Sequence, residues 1–286
     1  MKKILITGAT GFIGNYVVAQ LLQKGYNVIA TSSDMDKAKK AEWYSKVKYI
    51  PFDLKRFDES VNYFTFFECP DAMIHLAWEG LPNYKEVFHV EENLPRHYKF
   101  LKNIIQNGLK DITVSGTCLE YGMKEGCLIE NMDCEPGNPY AIAKNELRKK
   151  LELLTQQDEF QFHFKWVRIF YMHGKGQGPN SLISQLDKAL ETSEPVFNMS
   201  GGEQERDFLS VEKVADYIVK IALQNKVLGV INCCSGKPVA VRQFVEDYLK
   251  QQNKSIRLNL GYYQYTDYEP MKFWGDNKKL KKIVND

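Results

Sequence analysis

The stretch Thr7-Gly8-Ala9-Thr10-Gly11-Phe12-Ile13-Gly14 constrains this chain more than any other, because of what flanks it. The run Lys3-Ile4-Leu5-Ile6 before it is strand-like. Residues 15–24 after it carry apolar side chains at helical spacing, and Gly25 supplies a stop. A glycine turn that joins a strand to a helix is suited to cradle phosphate. Gly8 allows the tight turn, Gly11 lets the backbone approach a pyrophosphate, and Gly14 lets helix and strand pack closely. The N–H groups and positive end of the helix then face the anion. Gly8, Thr10, Gly11, Phe12, Ile13 and Gly14 are therefore expected to bind a dinucleotide.

Short β-rich runs alternate with helical patterns through the first half. Strands are expected at 27–30, 47–51, 72–76, 112–114 and 163–170, with helices between them, notably at 94–107 and 139–154. This alternation demands a parallel sheet covered on both faces, since each crossover lays a helix on the sheet. The expected fold is α/β, a doubly wound parallel sheet of the Rossmann type with a smaller C-terminal α/β lobe for substrate. Residues 1–170 would form the dinucleotide domain and 171–286 the lobe, with a segment near 206–235 returning to the core sheet. Within that half the sequence predicts a loop at 174–180, helices at 181–190 and 211–224, and a strand at 230–234.

A net charge of +2 over 286 residues gives no footing for nucleic acid or an anionic membrane as partner. The basic run Lys278, Lys279, Lys281, Lys282 is expected on a solvated helix face. The six cysteines form no CxxC pair and are expected as buried thiols of a reducing compartment; the five histidines lack ligand spacing, so no metal is expected. No apolar stretch approaches a membrane span, and a cytoplasmic location is expected.

The carboxyl ends of the strands are where open parallel sheets bind ligands. Asp53 and Leu54 would meet the adenine edge, and Leu76, Ala77 and Trp78 the adenosine ribose and pyrophosphate. The second strand ends Ala30-Thr31-Ser32-Ser33-Asp34. An NAD site usually presents a carboxylate there to the ribose 2′-hydroxyl, whereas an NADP site must accept a phosphate. Ser32 is placed at that position, and its hydroxyl with Ser33 and Lys37 favours NADP(H). A small shift in register would bring in Asp34 or Asp36, which keeps NAD(H) open.

Tyr140 and Lys144 are the second strong signal, within Gly137-Asn138-Pro139-Tyr140-Ala141-Ile142-Ala143-Lys144. Asn138 is suited to cap a helix and Pro139 to its first position, so Tyr140 and Lys144 share one face. An ammonium beside a phenol is expected to lower the tyrosine pKa toward working pH. A hydroxyl at the end of the fifth strand, Val114-Ser115-Gly116-Thr117, could bond the carbonyl oxygen that Tyr140 protonates and stabilise its developing charge.

These motifs in this order resemble the extended short-chain dehydrogenase/reductase family, in the NAD(P)-dependent epimerase/dehydratase branch. The resemblance runs on through His75-Leu76-Ala77-Trp78, Val167-Arg168-Ile169-Phe170, Arg206-Asp207-Phe208 and Ser235-Gly236-Lys237-Pro238. It implies Thr117 in the catalytic Ser/Thr position, Tyr140 as general acid/base, and Lys144 holding the nicotinamide ribose. Asn93 matches an asparagine that supports the site in relatives, and Tyr171 stands where many carry an asparagine. Arg206 resembles an arginine that binds the substrate diphosphate; on its own, Arg206-Asp207 would read as a structural ion pair. The partner implied is a nucleotide-diphosphate sugar, and the assembly a homodimer through the helices near 94–107 and 139–154. The arginine often found near the C-terminus is absent from Tyr268-Glu269-Pro270-Met271, so the nucleotide pocket is reshaped. Tyr262, Tyr263, Tyr265 and Trp274 could stack on a base or serve as core or interface aromatics.

Sugar 4,6-dehydratases of this family follow the catalytic threonine with Asp-Glu, where this chain has Cys118-Leu119. The expected reaction is therefore NADPH-dependent reduction of the C4 ketone of a nucleotide-linked 4-keto-6-deoxysugar, as in nucleotide-sugar 4-ketoreductases such as CDP-abequose synthase. A redox-neutral 4-epimerase with retained NAD is the alternative. A non-catalytic dinucleotide sensor is a second, and Thr117, Tyr140 and Lys144 being all present argues against it.

Overall fold

The computed structural model describes residues 2–284. Seven strands form the central sheet: β1 (Lys3–Thr7), β2 (Asn27–Thr31), β3 (Lys48–Tyr49), β4 (Ala72–His75), β5 (Asp111–Thr117), β6 (His163–Ile169) and β7 (Gly229–Cys233). All pair in parallel, in the order β7-β6-β5-β4-β1-β2-β3. This is the expected doubly wound α/β sheet, with the direction of winding reversing between β1 and β4.

Alternation along β1 explains the two layers. Ile4 and Ile6 face one side of the sheet and Leu5 the other. On the first side lie helices α1 (Phe12–Gln23) and α4 (Val211–Ala222), contributing Val17, Leu21, Val214 and Ile218. On the second lie α2 (Leu94–Gln106) and α3 (Pro139–Thr155), contributing Phe100, Ile104, Leu147 and Leu151. Each such side chain stabilises the fold by about 1.5–3 kcal/mol relative to exposure.

The observed elements differ from expectation where backbone pairing outruns local pattern. Helix α1 begins at Phe12, directly after an extended Gly11, rather than at 15. Strand β5 runs on to Thr117 because Ser115, Gly116 and Thr117 stay in register with Val167, Arg168 and Ile169. Before α2, residues His89–Asn93 form a π turn. Pro95 cannot donate to the Glu91 carbonyl and its ring crowds that group, so the chain widens there.

The rest of the second half is built from strands of three to six residues. Tyr171–His173, Glu205–Ser210 and Pro238–Ala240 form one small sheet. Val196–Asn198 pairs with Arg257–Asn259, and Gly126–Leu128 with Phe273–Gly275. Helices Leu182–Glu191 and Val241–Gln251 enclose a separate apolar cluster around Leu186, Phe197 and Val245. Two expectations need correcting. Cys69 and Cys127 are exposed, unlike Cys118, Cys233 and Cys234. In the basic helix Lys278–Val284, Lys279 is half-buried and donates to the carbonyls of Leu228 and Val230. No helix among the described residues is long and apolar enough to cross a membrane.

The turn that joins β1 to α1 depends on contacts too close for a side chain. A methyl group on Gly14 would run into the Gly8 carbonyl oxygen and the Ala9 backbone. Gly14→Ala is expected to cost about 1–3 kcal/mol by overpacking, lowering the melting temperature by roughly 3–10 °C. Thermal unfolding followed by circular dichroism checks this, and an unchanged melting temperature would show that the turn can relax.

Candidate active site

A cleft opens where the winding reverses, at the carboxyl ends of β1, β2 and β4. Gly8, Thr10, Gly11, Ser32, Ser33, Lys37, Leu54, Leu76, Ala77 and Trp78 line it, with Thr7, Thr31, Phe52 and Glu79. Gly8 lies at φ +68°, and a side chain there would also strike the Ala77 backbone of β4's extension. Gly11 caps α1 without any side chain bonding the first-turn N–H groups. Those free donors, at the positive end of a helix, fit a pyrophosphate.

The side chains of some expected cofactor residues pack away from the cleft, while the first-turn N–H groups of α1 include those of Phe12 and Ile13. Phe12 packs edge-on to Tyr16, Ile13 packs on the core, and Gly14 is buried behind Gly8. Asp53 caps the turn Leu54–Arg56, accepting the Lys55 N–H at 2.9 Å, and Phe52 takes the wall position. At the end of β2 the Ser32 hydroxyl lies 2.9 Å from the Tyr49 hydroxyl. The Asp34 carboxylate accepts the Lys37 N–H at 2.8 Å, capping the helix Met35–Lys39. Local capping thus draws off the nearest acid, while Lys37 faces the cleft.

The three residues singled out for chemistry converge beside this cleft. Thr117 ends β5; its Oγ1 accepts the Leu119 N–H at 3.3 Å, and its O–H remains to donate toward Tyr140. Its own N–H donates to Glu120 at 2.8 Å, completing a capping box. Glu120 is fully buried and also accepts from Trp166 Nε1 at 2.9 Å and Arg168 Nε at 2.7 Å. Asn138 caps α3 by accepting the Ala141 N–H at 2.9 Å, and Pro139 occupies its first turn. Tyr140 and Lys144 follow on one face, both buried.

Their ionisation differs from the expected pairing. Burial pushes the Tyr140 phenol up, with Tyr84, Glu120 and Cys118 acting in the same direction and a hydrogen bond from Thr117 opposing them. Burial pulls Lys144 down to about 7, with Glu120 resisting. The ammonium does not lower the phenol because Nζ is aimed elsewhere. It donates to the Ser115 carbonyl at 2.9 Å and lies 4.1 Å from the centre of the Trp78 ring. Burial therefore favours the protonated phenol.

The expected substrate residues are more tightly engaged than their types suggested. Asn93 closes the π turn and donates to the Glu79 carbonyl at 3.1 Å, supporting the loop after β4. Arg206 does not pair with Asp207, which instead accepts the N–H groups of Ser235 at 2.6 Å and Gly236 at 2.9 Å. The Arg206 guanidinium meets Glu269 at 3.1 Å and lies over Phe273 at 4.6 Å and Tyr171 at 5.6 Å. The Tyr171 hydroxyl is buried with no hydrogen-bond partner among the described residues. Tyr262 and Tyr263 are more than half exposed, Tyr265 donates to Glu203, and Trp274 lies in a lobe strand.

Two segments that periodicity did not mark also reach the site. Tyr84 accepts the Tyr140 N–H through its carbonyl at 3.1 Å, and its ring lies between those of Tyr140 and Tyr268, at 5.4 and 6.4 Å. Next to it Lys85 pairs with Asp267 at 2.9 Å. The loop after β4 and the segment 267–271 thus meet above Tyr140. The sequence mark of Glu269 is its place in Tyr268-Glu269-Pro270-Met271, from which the arginine often found there in relatives is absent.

The sequence and the fold both match known proteins. A family model described as the NAD dependent epimerase/dehydratase family matches residues 4–234. The chain is 32% identical over 272 residues to dTDP-6-deoxy-L-talose 4-dehydrogenase (NAD(+)) of Aggregatibacter actinomycetemcomitans, covering 95% of this chain and 98% of that one. It is 25% identical over 306 residues to UDP-glucuronate 4-epimerase of Thermodesulfobacterium geofontis, covering 100% and 91%. Among solved structures, UDP-glucuronic acid 4-epimerase from Bacillus cereus with UDP-glucuronic acid and NAD shares the fold at TM-score 0.84 and 24% identity, covering 99% and 93%. MoeE5 with UDP-glucuronic acid and NAD does so at TM-score 0.83 and 22% identity, covering 99% and 92%. With its glycine cradle at the switch point and a family model spanning most of its length, the chain belongs to the NAD dependent epimerase/dehydratase family.

Proposed function

We propose that this protein reduces the C4 ketone of a nucleotide-linked 4-keto-6-deoxysugar, with NADPH as the reductant. One observation carries the reading: Thr117, Tyr140 and Lys144 come together beside the cleft, and the two residues that follow Thr117 are not acids. Cys118 and Leu119 fill the positions of the dehydratase acids. The next acid, Glu120, is turned inward onto Arg168, Trp166 and the Thr117 N–H.

The nicotinamide, when bound, supplies hydride to the carbonyl carbon. The protein's part is to handle the oxygen. The Thr117 O–H donates to it, and the buried Tyr140 phenol gives it a proton as it becomes an alkoxide, so the ketone ends as an alcohol. Solvent then restores the Tyr140 proton, while the Lys144 ammonium, held at the Ser115 carbonyl and the Trp78 face, keeps a positive charge one helical turn away. Read backward, this is the oxidation printed in the name of the 32%-identical relative, which supports a 6-deoxysugar oxidised or reduced at C4. That name also carries NAD(+), which favours NAD(H); Ser32, Ser33 and Lys37 facing the cleft favour NADP(H). A second reading, a redox-neutral 4-epimerase, draws on the epimerases among the relatives. We also propose a homodimer through α2 and α3.

Incubation with NADPH or NADH and a panel of CDP-, dTDP-, GDP- and UDP-4-keto-6-deoxysugars tests the reading through loss of reduced-nicotinamide absorbance. Stoichiometric oxidation with one sugar is expected, faster with NADPH; a C4 epimer formed without net oxidation would replace it with the epimerase. Tyr140→Phe is expected to lower kcat by roughly 10²–10⁴-fold, with dinucleotide affinity little changed. Steady-state kinetics beside a binding titration checks this, and undiminished turnover would remove Tyr140 from the chemistry. A substrate diphosphate must compete with Glu269 for the Arg206 fork. Glu269→Gln is therefore expected to lower KM for the sugar nucleotide by about 3–10-fold with kcat within about twofold, in line with a charge-assisted hydrogen bond. A raised KM would mean that Glu269 positions Arg206 instead of occupying it.

A further inference from the structure

Lys144 is a buried cation whose closest support is aromatic. Its side chain is 1% exposed, and its hydrogen-bond partner among the described residues is the Ser115 carbonyl. The carboxylate that favours its charge, Glu120, is already shared by Arg168, Trp166 and the Thr117 N–H. Two indole rings lie near Nζ, Trp78 at 4.1 Å and Trp166 at 6.0 Å from their centres. At 4.1 Å the electron-rich face of an indole attracts an ammonium, the more so away from water.

Trp78 is itself fixed on several sides. Its Nε1 donates to His89 Nδ1 at 3.1 Å, and the other His89 nitrogen donates to the Asn83 carbonyl at 3.0 Å, which sets a neutral tautomer. His97 stacks on the indole at 4.5 Å and bonds His75 at 2.8 Å, which bonds the Thr7 hydroxyl at 2.7 Å. Burial drives both His75 and His97 down, His75 to about 3, so neither imidazole competes as a cation for the ring. Tyr140 lies on the same helix as Lys144, and Arg168 on β6 and Arg148 on α3 both face Glu120, Arg148 at 4.0 Å. None supplies a free negative charge.

We propose that Trp78 is a positioning residue for Lys144, its indole face holding the ammonium in place and charged at the edge of the dinucleotide cleft. Trp78 also lines that cleft beside Leu76 and Ala77, so a dinucleotide that fills the cleft bears on the same ring. The consequence for turnover rests on the function proposed above; the contact itself belongs to the free protein and is tested there.

The test replaces Trp78 by tryptophans bearing one, two or three fluorines on the benzo ring, which weaken the face electrostatically with little change of shape. The titration of Lys144 is read by NMR on protein with ¹³C-labelled lysine, assigned by the signal missing from Lys144→Met. In the unmodified protein the midpoint is expected near 7. It is expected to fall stepwise with each fluorine, by roughly one pH unit, a tenfold change in the protonation equilibrium, for the trifluoro form. Thermal unfolding of each form checks that the fold is retained. A midpoint that stays constant across the series, or rises, overturns the proposal, and does so even if dinucleotide affinity changes, since a mere wall residue would move affinity alone. Failure to turn over any 4-keto sugar would instead count against the reaction and leave the titration series to decide the contact.

Discussion

The carboxylate of Glu120 has no exposure to water and accepts from the Thr117 N–H, the Trp166 indole and the Arg168 guanidinium. Those three bonds join the end of β5 to β6 and fix the turn from which Thr117 presents its hydroxyl. Removing either partner of such a buried pair would strand the other charge, at a cost of about 3–5 kcal/mol. The same charge acts on both neighbours of Thr117. It resists the loss of the Lys144 proton and opposes loss of the Tyr140 proton. One structural ion pair therefore fixes the turn at Thr117 and, after burial, bears on the charge of Tyr140 and Lys144.

The sheet puts that site where a ligand can reach it. Winding reverses between β1 and β4, so helices leave in opposite directions and a crevice opens above the strand ends. The glycine turn forms one side of this crevice and β4's extension through Leu76, Ala77 and Trp78 the other. Outside the central sheet Arg206 gathers Tyr171 and Glu269 around its guanidinium, and the Tyr84 and Tyr268 loops meet over Tyr140.

Acids beside the cleft are held by their own neighbours in the chain. Asp34 stands close in sequence to the position where an acid would meet a ribose, yet its carboxylate caps the following helix through the Lys37 N–H. Asp53 is drawn off in the same manner by the turn Leu54–Arg56. In both cases a backbone donor a few residues away competes for the carboxylate, as short acidic side chains commonly allow.

Features governed by neighbours in the chain were legible from the sequence alone. The glycine turn, the cap at Asn138-Pro139 and the four-residue spacing of Tyr140 and Lys144 depend on backbone geometry over a few residues, and the strand-helix alternation implied a parallel sheet. The strands of the lobe, three to six residues long, are too short to carry a period and take their form from distant partners. The direction of Lys144 toward Trp78, the retention of Arg206 by Glu269 and the burial that keeps Tyr140 protonated were decided by the tertiary structure. Each depends on groups tens of residues apart, and on how much water packing leaves between them, which a linear pattern does not encode.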